Sequence, residues 1–89
     1  MRENRHLVLV VEDRKKWRGT LYEGLNRTYD VVLARTREAG IEQVRQRDFD
    51  AVILNPNLVT DDDFFGVDVL DAVIRHRPLM PCILLSGTP

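Results

Sequence analysis

Two acids stand side by side where an apolar run ends: "LVLVVED" carries Glu12 and Asp13 directly after Val11. Hard cations such as Mg²⁺ take carboxylate, carbonyl and water oxygens, usually with one or two carboxylates. The pair has the chemistry to hold such an ion, and equally the chemistry of a tight turn or helix N-cap. Two later apolar runs also end on polar residues. "AVIL" leads into Asn55, Pro56 and Asn57, and "CILL" leads into Ser86. Asp61, Asp62 and Asp63 read as a solvated loop rather than as an extension of a metal site. His6 and His76 have no ligand partners at metal spacing and read as surface residues. Cys82, within an apolar strand, reads as an inert core thiol.

For these polar residues to meet, the segments before them must lie side by side. "HLVLVV" (6–11) is a continuous run of β-branched residues and Leu, the pattern of a strand buried on both faces. Over 15–27 the spacing becomes helical, with Trp17, Leu21 and Leu25 on one face. "YDVVLA" (29–34) is strand-like again. In "TREAGIEQVRQR" (36–47), Thr36 is placed as an N-cap with Glu38 in the first turn. "DAVILN" (50–55) is a third strand. "GVDVLDAVIRHR" (66–77) is a third helix, with Val67, Leu70 and Ile74 on one side and basic residues where the helix dipole favours them. Pro78 stops it, and "CILLSG" (82–87) is a fourth strand. Alternating strands and helices imply a parallel sheet with right-handed crossovers. Ligands of such sheets bind outside the carboxyl ends of the strands, which is where Glu12, Asp13, Asn55 and Ser86 fall.

The totals narrow the function classes. The chain has 89 residues, a net charge of −1 and 44% hydrophobic residues, the profile of one small globular domain. No apolar run approaches the ~20 residues of a membrane span, and "MRENRH" has no apolar stretch of a secretory leader behind it. The single cysteine rules out an internal disulfide, so a cytoplasmic protein is expected. Arg14, Lys15, Lys16 and Arg18 cluster at the first helix, but the slightly negative total argues against direct nucleic-acid contact. Gly19 and Gly24 weaken that helix, and close backbone packing is one reading of them.

The combination of "VLVVED", "WRxxLxxxL" over Trp17 to Leu25, "YDVVLA", "FDAVILN", "GVDVLDAVIRHRP" and "PCILLSG" resembles the receiver domain of two-component response regulators. The likeness runs through essentially the whole chain. It implies a flavodoxin-like (CheY-like) doubly wound parallel sheet in one domain over 1–89, truncated after the fourth strand and lacking the usual last helix-strand-helix. It also implies roles. Glu12 and Asp13 match the Mg²⁺ pair, Asn57 would offer its backbone carbonyl to the metal, and Ser86 matches the switch hydroxyl. Asn55 stands where the family has the aspartate that accepts a phosphoryl group from a histidine kinase.

The sequence departs from that pattern at the acceptor. Phosphoryl transfer to the acceptor needs an anionic carboxylate nucleophile, and an amide is neutral. Asn55 is therefore expected not to be phosphorylated. Deamidation to Asp is disfavoured because cyclisation needs the next backbone N–H, which Pro56 lacks. The lysine that the family carries at the end of its fifth strand is absent, the proline usual after the acceptor loop is missing, and 55–66 looks lengthened. An amide in place of a third carboxylate relieves repulsion but removes a charge, which predicts weak Mg²⁺ binding, millimolar or poorer. Ser86, with no phosphoryl to meet, reads as a strand-end hydroxyl that came with the fold.

The expected function is a receiver-like signalling module, not an enzyme, acting through protein–protein contact with a histidine kinase or an output module. Phe64 and Phe65 are expected to tuck against the third helix. "CILL" would form a bare hydrophobic edge, which predicts a homodimer joined near the fourth strand. The alternatives are an ordinary phosphoacceptor receiver seen as an Asp-to-Asn or truncated variant, and a cofactor-binding flavodoxin-like enzyme domain. The latter is disfavoured because "EDRKKW" lacks the glycines or hydroxyls that would bring backbone N–H groups to a phosphate.

Overall fold

Apolar runs without polar alternation suit a sheet covered on both faces, and the computed structural model bears this out for the runs over 7–11 and 51–54. It describes residues 5–54 and 65–84, with 65–68 as backbone alone. In chain order these form β1 (Leu7–Val11), α1 (Lys15–Leu25), β2 (Asp30–Ala34), α2 (Arg37–Gln46), β3 (Ala51–Leu54), α3 (Phe65–His76) and β4 (Cys82–Leu84). The strands make one parallel sheet in the order β2-β1-β3-β4. β1 and β3 are central, and Val8 to Val11 are all buried.

Side chains alternate across the sheet, so each strand feeds two cores. Leu9, Val11, Val52 and Leu54 meet Val44 of α2, Phe49, and Val69 and Val73 of α3. On the other face, Val8, Val10 and Ile53 lie under Leu21 and Leu25 of α1 and under Tyr29. The first face is the better covered. The Thr36 hydroxyl caps α2 by accepting from the Ala39 N–H at 3.1 Å, as its position in the sequence predicts. Arg77, just past α3, pairs with Asp48 at 2.9 Å and so ties the end of α3 to the turn that holds Phe49.

Gly40 explains how α2 approaches the sheet. A Cβ there would lie 3.0 Å from Val11 Cγ2, closer than a methyl group can sit without displacing its neighbour. Gly19 and Gly24 have open space where a Cβ would be, so close packing is not their reason.

α1 buries no residue fully, and Trp17, expected to share the face of Leu21 and Leu25, is 41% exposed. α1 also ends at Leu25, short of Arg27, because the backbone turns there: the Thr28 and Tyr29 N–H groups both donate to the Leu25 carbonyl. Arg5 holds that turn, donating to the carbonyls of Asn26, Thr28 and Tyr29. Between α1 and β4 lies a groove of about 480 Å³, walled by Val8, Leu25, Tyr29, Ile53 and Ile83. Its polar rim is a pair between His6 Nδ1 and Asp50 Oδ2 at 3.3 Å. Among the described residues β4 is the last strand of the sheet on that side, with Ile83 and Leu84 about half exposed. Cys82 is half-buried at the margin of the α2/α3 core rather than inside it.

Candidate functional site

The carboxyl edge of the sheet is assembled by register. Val11 of β1 is opposite Leu54 of β3 and Ala34 of β2, and Leu54 is in turn opposite Leu84 of β4. The ends of β1 and β3 therefore lie at the same level, and Glu12 follows the first of them. Asn55, Asn57, Ser86, Asp61 to Asp63 and Phe64 lie outside the described residues, as does the Phe65 side chain. Of the residues matched to the receiver site, Glu12 and Asp13 are the ones whose surroundings the structure describes.

Glu12 extends the ladder beyond β1, its N–H donating to the Ala34 carbonyl at 3.0 Å. The residue is 4% exposed, and its Oε1 accepts the Arg14 N–H at 3.1 Å, closing the turn into α1. Asp13 is half-buried in the same turn. Arg14, the N-cap of α1, makes no side-chain cap. Arg18, one helical turn further on, reaches back: its Nη1 donates to the Glu12 carbonyl at 3.1 Å and to the Asp13 carbonyl at 2.6 Å. The sequence reading placed Arg18 in a basic cluster and in the "WRxxLxxxL" pattern, with no part in the acidic turn. The signal that would have found it is its position in the first turn of a helix, whose side chains lean toward the helix N-terminus.

Two adjacent carboxylates on a strand end provide the hard oxygen donors that Mg²⁺ takes, so the residues present fit such an ion. Among the described residues no group of three or more His, Cys, Asp or Glu side chains could hold a metal. Glu12 and Asp13 would supply two donors, and the ion would neutralise negative charge at the strand ends.

No protein-family model matches the sequence, and no curated protein matches it. Solved structures do. The receiver domain of HemR from Leptospira biflexa, in its non-phosphorylated form, is 27% identical with a TM-score of 0.81, over 94% of this chain and 66% of that one. The N-terminal domain of a response regulator/sensory box/GGDEF protein from Carboxydothermus hydrogenoformans is 29% identical, TM-score 0.80, over 93% and 67%. This chain has the fold of a response-regulator receiver domain. A response regulator from Burkholderia pseudomallei, solved with a phosphorylated aspartic acid, a calcium ion and citrate, shares the receiver fold at 22% identity and TM-score 0.81, over 94% and 48%. The chain spans about two thirds of the length of the first two receivers. No helix among the described residues is long and apolar enough to cross a membrane.

Proposed function

We propose that this chain is a receiver-type module of two-component signalling that works through protein–protein contact and is not phosphorylated. The observation that carries this reading is the pairing of Val11 with Leu54. It brings the ends of β1 and β3 together, and in the sequence Glu12 and Asp13 follow the one and Asn55 follows the other, at the position where a receiver would carry its phosphoacceptor. In the Burkholderia protein the modified residue is an aspartic acid. An amide nitrogen has its lone pair delocalised, and an amide oxygen would give no stable acyl phosphate, so the nucleophile needed for covalent switching is missing.

In this reading Asn55 is a phosphoacceptor-equivalent position without chemistry, and Ser86 is a hydroxyl that came with the fold. Glu12 and Asp13, with the Asn57 backbone carbonyl, bind Mg²⁺ weakly. The module is cytoplasmic and not an enzyme. Its state is set by a protein partner, a histidine kinase or an output module, or by a second copy meeting it across the β4 edge. The half-exposed Ile83 and Leu84 of that edge support such association.

Incubation with acetyl phosphate and Mg²⁺, followed by intact-mass measurement, tests the central point. The expected result is an unchanged mass. A labile phosphoryl adduct on the unaltered chain overturns the proposal. The N55D variant run beside it shows whether the amide is the sole obstacle: an adduct on N55D alone means that the rest of the site is competent.

A further inference from the structure

We propose that Arg18 is the resident cation of the acidic turn, holding Glu12 and Asp13 in place and opposing a divalent ion beside them. The inference rests on the reading of Glu12 and Asp13 as the cation pair. One nitrogen of the guanidinium bridges the carbonyls of both acids, at 3.1 Å and 2.6 Å. Hydrogen bonds from a charged donor are the shorter and stronger kind. Arg18 is half-buried, and its planar guanidinium presents its donors in a fixed fork.

The surroundings make this contact more than a surface bond. Glu12 is 4% exposed, and a carboxylate taken out of water needs compensation nearby. One of its oxygens takes the Arg14 N–H. α1 has no acidic residue in its first turn and no side-chain cap, so the usual device for ordering a helix entry is absent. Arg18 bridges the turn instead, and it brings positive charge to the acids. A divalent ion would bring the same thing. An ion that enters must share the turn with a fixed unit charge, which lowers its affinity by about three- to tenfold if the two lie some ~6–7 Å apart in a water-like medium.

The test compares the unaltered chain with R18Q and R18K. Mg²⁺ affinity is read by calorimetric titration at constant ionic strength, and thermal midpoints are read with and without Mg²⁺. R18Q keeps a donor and removes the charge. It should bind Mg²⁺ about three- to tenfold more tightly than the unaltered chain. Its thermal midpoint should fall without Mg²⁺ and recover in part with it. R18K keeps the charge and should retain the weak affinity of the unaltered chain. Equal affinity in R18Q and the unaltered chain overturns the role of Arg18 and leaves the acidic pair standing. If R18Q/D13N binds as tightly as R18Q, the ion sits elsewhere, and the reading of Glu12 and Asp13 fails. Should R18Q be unfolded at every Mg²⁺ concentration, R18K decides: a gain in affinity despite the retained charge overturns the proposal, and unchanged weak affinity supports it.

Discussion

Gly40 of α2 lies directly over Val11 of β1, with a notional Cβ 3.0 Å from one Val11 methyl and 3.1 Å from the other. Val11 is fully buried and shares its core with Leu9, Val44 and Leu54, so it has little room to yield. Gly-to-Ala in a helix interior ordinarily stabilises by ~0.5–1 kcal/mol. Here overpacking outweighs that gain, since an extra carbon in a filled core costs about 1–3 kcal/mol. G40A is expected to lower the urea midpoint, and V11A added to G40A to restore part of the loss relative to V11A alone.

Gly19 and Gly24 give the opposite sign. Both sit within α1 and meet nothing where a Cβ would go. G19A and G24A should each stabilise by ~0.5–1 kcal/mol, because Ala restricts the unfolded chain without meeting a neighbour in the native one. Chemical denaturation of the two variants checks this. A loss of stability in either would mean that α1 sits closer to other groups than its open flanks indicate.

Cys82 sets a pH dependence. Burial pushes its thiol above the ordinary range, because the thiolate is the form that low polarity disfavours. Between the unfolded value, about 8.5, and the higher folded one, the native state holds a proton that the unfolded state has lost. The contribution is therefore fully present below about pH 8.5 and declines as pH rises through the folded value. The urea midpoint of the unaltered chain should fall across this range more steeply than that of C82S. Equal slopes would refute the assignment.

Ile83 tests association through the sheet edge. It is 47% exposed on β4 and forms part of the wall of the groove beside α1. Two β4 edges meeting about a twofold axis would pair antiparallel, continuing the sheet from one copy into the other. Sedimentation at micromolar concentration is expected to give a dimer mass. I83K is expected to weaken the dimer by at least about tenfold, or ~1.4 kcal/mol. A single-chain mass for the unaltered protein removes the dimer from the proposal.

The parts of the fold that were legible are those that depend on neighbours in the chain. "HLVLVV" and "AVIL" announce two-sided burial through an unbroken apolar run, and Thr36 announces α2 through a cap that needs only the Ala39 N–H. Periodicity implies a parallel sheet but does not fix its strand order, β2-β1-β3-β4, which depends on how the crossovers run. What stayed hidden depends on contacts made across the fold. Gly40 looks like any helical glycine until Val11 lies beneath it. Arg5 looks like a charged terminus until it meets the carbonyls beyond α1. The acidic pair was legible as a pair because adjacency is local. Its bridge to Arg18 was not, since basic residues near a helix start are usually solvated.

The unequal cover of the two sheet faces has a consequence for how the molecule opens. α2 and α3 share one core, whereas α1 rests on the sheet with no fully buried residue of its own. Its amide protons should trade with deuterium by local detachment, while those of β1 and β3 should wait for global unfolding. A partner settling into the adjoining groove would then announce itself as slowed deuteration of α1, a message carried by lost motion with no change of shape.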